Sequence, residues 1–107
     1  LYDPTSVEAA RAFAERILRD GGETDEQRLD FAFRQAVSHS PDDVEFKILA
    51  KLLDSQRQHY VENSVEAKKL ISTGLASIPD DTDVTELAAW TAVARAVLNM
   101  NETITRN

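Results

Sequence analysis

Nineteen aspartates and glutamates against twelve lysines and arginines make carboxylates the most plentiful chemical resource of this 107-residue chain. The densest group is Asp80, Asp81, Asp83 and Glu86, and Asp81-x-Asp83 begins like a calcium loop. Such loops turn on Gly at the sixth position and close on a bidentate Glu at the twelfth. Counted from Asp81, those places hold Glu86 and Ala92. The acids instead suit the start of a helix, where unpaired N–H groups and the macrodipole favour negative charge. His39 and His59 are the two histidines. His59 and Glu62 have one-turn spacing, but di-metal helical bundles use Glu-x-x-His on two helices. Here one pair stands in reverse order. His59 therefore reads as a surface residue, and His39, in Ser38-His39-Ser40 before Pro41, as a maker of local backbone hydrogen bonds.

No nucleophile stands out. The serines fall in no G-x-S-x-G or S-x-x-K pattern, no glycine-rich phosphate loop is present, and Ser6, Ser40 and Ser64 suit helix caps. The absence of cysteine excludes disulfides, thiolate chemistry, zinc clusters and covalent haem attachment within this stretch. Asn101-Glu102-Thr103 fits a glycosylation sequon, a short pattern that arises often by chance. Trp90, Phe13, Phe33 and Phe46 lie on apolar stripes and read as core rather than as a ligand platform. The expectation is a chain with no catalytic, cofactor-binding or metal-ligating residues of its own.

The elements that position these residues read as five helices. The first, about Ser6 to Asp20, follows the cap-rich Asp3-Pro4-Thr5-Ser6 and carries Val7, Ala10, Phe13, Ala14, Ile17 and Leu18 at helical spacing. Gly21-Gly22 stops it by supplying a left-handed residue, and Glu8/Arg11 and Glu15/Arg19 read as surface pairs. Thr24 opens the second, with Gln27 completing a capping box and Leu29, Ala32, Phe33, Ala36 and Val37 as its stripe. The third takes Ser40 as cap and Pro41 in its first turn and runs to about Asn63. It has two stripes, Val44/Ile48/Leu52 and Phe46/Leu49/Leu53/Tyr60, which predicts packing between neighbours. Ser64 caps a short fourth helix with Val65, Ala67, Leu70 and Ile71, closed by Gly74. A linker from Leu75 to Asp83 follows. The fifth, about Val84 to Met100, carries Arg95 as its only charge after Glu86 and is expected at the centre, anchored by Trp90.

No segment alternates as a strand does, so the fold class is all-α: a single-domain bundle of about five helices over residues 1–107. The length suits one core, with roughly 65% of the unfolded chain's surface buried. A net charge of −7 and pI near 4.7, with basic residues scattered among acids, leave no platform for nucleic acid. No apolar run approaches about 18 residues, so no membrane insertion is expected. Leu29-x-x-x-Phe33-x-x-Ala36-x-x-x-x-Pro41 echoes Ala67-x-x-x-Ile71-x-x-Gly74-x-x-x-x-Pro79, a spacing found in tetratricopeptide repeats. The first-helix signature of that repeat is missing.

Three stretches carry a wider resemblance: Asp3-Pro4-Thr5 with Val7 to Arg16; Ala32-Phe33-Arg34-Gln35-Ala36 followed by Ser40-Pro41-Asp42-Asp43-Val44-Glu45; and Glu86 to Glu102. Together they resemble the C-terminal part of the planctomycete-specific domain of unknown function that accompanies planctomycete cytochrome c domains in large exported proteins. The family's Leu-Asn-Leu-Asp-Glu-Phe appears here as Leu98-Asn99-Met100-Asn101-Glu102-Thr103, and its Gly-Arg-x-Pro as His39-Ser40-Pro41 without Gly or Arg. The resemblance implies an envelope or periplasmic location, haem held by an upstream region, and no known activity.

With Leu1 as its first residue the chain reads as a piece of a longer protein. Two functions then compete: a non-catalytic packing or interaction module that contacts upstream domains or another protein, and the end of an enzyme, such as a polysaccharide-directed one, whose site lies upstream. A tetratricopeptide-like binding repeat is a third. Phe31 and Phe46 sit off their helices' best stripes and are the candidate residues for interdomain packing.

Overall fold

The computed structural model describes residues 4–37, 39–72 and 83–105, with side chains from 7 to 100 of these. They form α1 (Pro4–Asp20), α2 (Asp25–Val37), α3 (Asp43–Glu62), α4 (Ser64–Ile71) and α5 (Val84–Thr105), with no strand among them. The expected all-α bundle is the observed fold.

Helix starts and stops follow local chemistry. Pro4 stands at the first position of α1, where a missing N–H costs nothing, so the helix begins two residues before the expected Ser6. At its end Gly21 N–H donates to the Ile17 carbonyl over 2.8 Å, and Gly22 takes φ +103°. That is the left-handed backbone which the glycine pair was expected to supply. The Thr24 capping box is present: Gln27 N–H donates to Thr24 Oγ1 at 3.1 Å, and Thr24 N–H to Gln27 Oε1 at 3.2 Å.

Three expected caps are displaced, and the first, Ser6, lies inside α1. α3 is capped by Asp42 rather than Ser40, because Asp42 has a glutamate three residues on. Glu45 N–H donates to Asp42 Oδ1 at 2.7 Å, and Asp42 N–H returns to Glu45 Oε1 at 3.0 Å. Ser64 lies inside α4 and not before it. Asn63 separates the two helices, and its side chain turns back to donate to the His59 carbonyl at 2.8 Å. The expected stop at Gly74 lies outside the described residues, as does the linker except Asp83. Asp83 Oδ1 accepts from Glu86 N–H at 3.1 Å, and α5 then runs past Met100 to Thr105.

α5 is the structural axis. Leu87, Ala88, Ala89, Trp90, Thr91, Val93, Ala94 and Val97 are all buried, and the helix packs against each of the other four, most extensively α1. The alanines let neighbouring backbones come close while Trp90 fills the centre. Around it stand Ala10, Ala14 and Ile17 of α1, Leu29 and Phe33 of α2, Leu49 and Leu53 of α3, and Ala67 and Ile71 of α4. Each large side chain fully withdrawn from water contributes about 1.5–3 kcal/mol. A helical solenoid stacks each repeat on its sequence neighbours. Here the first helix meets the fifth, and α2 and α4 do not touch.

Candidate functional site

The most concentrated polar geometry lies where α2, α3 and α5 meet. Arg57 follows Leu49 and Leu53 in the helical repeat of α3, which turns it inward between two helix starts. Its Nη1 and Nη2 donate to the Asp25 carboxylate at 2.6 and 2.8 Å. Its Nε and Nη2 donate to the Glu86 carboxylate at 2.7 and 2.6 Å. Asp25 opens α2 and Glu86 lies in the first turn of α5, so both carboxylates also face positive helix ends. The hydrogen bonds from Arg57 hold Asp25 below its usual carboxylate range against the opposing effect of burial, with help from the charges of Arg57 and Arg28. The same bonds raise the guanidinium further. Its Nε, Nη1 and Nη2 are all engaged by the two carboxylates, so the cluster binds helices together.

Arg11 is the second inward arginine, 2% exposed. It was expected to pair with Glu8 at the surface. Instead it follows Val7 by four residues and precedes Ala14 by three, on the buried face of α1. Its Nη1 donates to the Ile71 carbonyl at the end of α4, and its Nε to Glu15 Oε1 at 3.1 Å. Glu15 is thereby taken from the expected pair with Arg19, whose guanidinium meets Asp20 at 3.2 Å.

Of the residues weighed for metal chemistry, His59 Nε2 lies 2.9 Å from Glu66 Oε2 on α4, not beside Glu62. His39 Nδ1 lies 2.8 Å from the Ser40 carbonyl, the local backbone bond expected of it, and its ring meets Phe33 edge-on. Asp83 is a helix cap and Glu86 belongs to Arg57, while Asp80 and Asp81 lie outside the described residues. Among the described residues no group of three or more His, Asp or Glu side chains is arranged to hold a metal ion. Asn101-Glu102-Thr103 lies within the last turns of α5.

Shallow grooves mark the surface, two of them of similar size among the described residues. One, of about 440 Å³, runs between α1, α2 and α5 and is lined by Ala9, Ala12, Phe13, Ala36 and Leu98, with Arg16 donating to Gln35 at 2.8 Å across its rim. The other, of about 430 Å³, lies among Tyr60, Glu66, Lys69 and Leu70. Burial, reinforced by the Glu66 carboxylate and opposed by Arg95, pushes the Tyr60 phenol up.

Phe31 and Phe46 are partly buried and pack against the core. Among the described residues, the large apolar side chains left most open are Val44, Ile48, Val61 and Val65. Val44 and Ile48 are 66% and 58% exposed, so these two residues of the Val44/Ile48/Leu52 stripe are uncovered, while Leu52 is partly buried against the core. α3 packs against α2, α4 and α5. Among the described residues no helix is long and apolar enough to cross a membrane. No protein-family model, curated protein or solved structure matches the chain.

Proposed function

We propose that this chain is a non-catalytic helical module whose task is packing and interaction. The observation that supports it most is where the closest polar contacts go. Arg57 ties α2 and α5 to α3, and Arg11 ties α4 to α1. The polar groups thus stabilise the bundle while an apolar strip on α3 faces outward. On the family resemblance, the parent is an exported, cytochrome-c-associated polypeptide of the envelope or periplasm. Haem is then held upstream, and the module packs against upstream domains or another protein, with Phe31 and Phe46 at that contact.

The test has two arms. The chain, screened against polysaccharide, ester and redox substrates, is expected to show no turnover. In the parent polypeptide, limited proteolysis is expected to cut the junction faster when Phe31 or Phe46 is made charged, provided circular dichroism shows the helices retained. Turnover by the chain itself would transfer the assignment to the enzymatic alternative.

A further inference from the structure

We infer that α4 is a strap that lifts off as a unit while the other four helices stay packed, hinged at Asn63 and latched by the Arg11 guanidinium. α4 has eight residues, and an isolated helix shorter than about 12–15 residues is marginal in water. Its tertiary contacts must therefore hold it, and they are few. Ala67 and Ile71 are its buried side chains, with Leu70 partly buried against the core. α2, itself only thirteen residues long, buries Leu29, Ala32, Phe33 and Val37. The start of α4 has no side-chain cap, because Asn63 turns its amide to the His59 carbonyl at 2.8 Å. The surface pair of His59 Nε2 with Glu66 Oε2 joins two groups about half exposed, where such pairs contribute little.

Arg11 is the exception. Its guanidinium, on the buried face of α1, donates to the Ile71 carbonyl, and a charge-assisted bond away from water is among the stronger polar contacts. At the opposite end Asn63 is the one residue between α3 and α4, with φ −130° and ψ 61° outside the helical region. Hinges are residues at element ends that absorb a change of φ and ψ. Lifting α4 about that point leaves the bonds from Arg57 to Asp25 and Glu86 intact, and with them the packing of α1, α2 and α3 on α5. It also admits water to Arg11 and to the Ile71 carbonyl together, so neither is left buried without a partner. The other helices have no such exit: α1 lies along α5, and Arg57 ties α2 and α3 to the start of α5. The open state uncovers the flank of α5 beneath Ala67 and Ile71, a surface that the closed bundle does not offer.

Native-state hydrogen exchange of the 15N-labelled chain in low urea tests this. The amides from Ala67 to Ser72, which bond within this turn-and-helix segment, are expected to share one opening. It should leave them about tenfold or more less protected than the amides of α5 and nearly indifferent to urea, whose slope scales with the surface exposed. Arg11→Met is expected to speed their exchange about tenfold or more, the worth of a hydrogen bond to a charged group. Arg57→Met is expected to lower the protection of α5 while leaving the α4 rates in place, because the open and closed states both keep that cluster.

The urea dependence of the parent decides the outcome should either variant fail to fold. Amides of α4 and α5 merging on one urea line would overturn the inference, since the bundle would then open only as a whole. Rates graded along α4 from one end would assign the exchange to fraying. Rates in α4 that ignore Arg11→Met would remove the latch, and rates that rise with Arg57→Met would tie α4 to the common core. Each of these refutes the strap.

Discussion

The Arg11 guanidinium on α1 donates to the backbone carbonyl of Ile71 on α4, 60 positions along the chain. The last carbonyls of a helix have no partner within it, and a cation there is favoured by the macrodipole. One side chain therefore satisfies a buried acceptor and closes the tip of the shortest helix.

Removing Arg11 leaves that carbonyl buried and unpaired. Arg11→Met keeps most of the packing volume, so its cost isolates the polar part, expected at about 2–3 kcal/mol. Arg19→Met, at an exposed site, is expected within about 0.5 kcal/mol of the parent. Urea denaturation of both variants checks this, and equal midpoints would show that Arg11 is not a tie.

Asp25 sets the acid limb of stability. Its folded value lies below the unfolded one of about 3.9. Its contribution is therefore complete above about pH 4 and is lost as pH falls through the depressed folded value. Arg57→Met is expected to cost about 1–3 kcal/mol at neutral pH, at the lower end because Asp25 is 46% exposed. Below about pH 4 the difference between parent and variant should narrow. Denaturation midpoints from pH 7 to about 2 test the sign, and a constant difference would refute the coupling.

Tyr60 sets an alkaline limb. Its folded value is raised, chiefly by burial. The contribution is thus full below the unfolded value of about 10 and is lost as pH rises from there through the folded value. Tyr60→Phe is expected to flatten the fall in stability above about pH 10 without changing its course near neutrality. Melting temperatures across that range decide it.

The core centre separates two adjacent residues. Trp90→Ala is expected to cost about 3–5 kcal/mol, a large part of a marginal domain's stability of about 5–15 kcal/mol. The buried indole N–H has no acceptor among the described residues, so Trp90→Phe removes an unsatisfied donor and should cost distinctly less. Thr91 is equally buried, and its hydroxyl donates to the Leu87 carbonyl at 2.7 Å. That carbonyl sits within the helix, and Thr91→Ala is expected to cost about 1 kcal/mol. Tryptophan emission of the parent should be blue-shifted and resistant to acrylamide.

Much of this bundle is legible from the stripes. The apolar spacing of α1, α2 and α5 marks the faces that are buried, and Gly21-Gly22 marks the end of α1. The two arginine ties were not read, although both stand in register on an apolar stripe: Arg11 between Val7 and Ala14, Arg57 between Leu53 and Tyr60. Their charge argued for the surface while their position argued for the interior. Position prevailed because each found acceptors there. The uncovered strip at Val44 and Ile48 was hidden for the opposite reason, since periodicity states that a face is apolar and not that a neighbour reaches it. Asp42 displaced Ser40 as cap because Glu45, three residues on, completes a reciprocal pair that Ser40 lacks.

The packing of α1 along α5 bears on how the chain acquires its shape during synthesis. Of these five helices, the first to leave the ribosome has its largest apolar partner in the fifth, made on the order of ten seconds later at ordinary translation rates. Until then Ile17, Phe33 and Leu53 share no common centre, and the nascent chain is a natural client for holding chaperones. A stall placed before Val84 should therefore leave the ribosome-bound chain protease-sensitive throughout. Release of α5 should protect all five helices in one step.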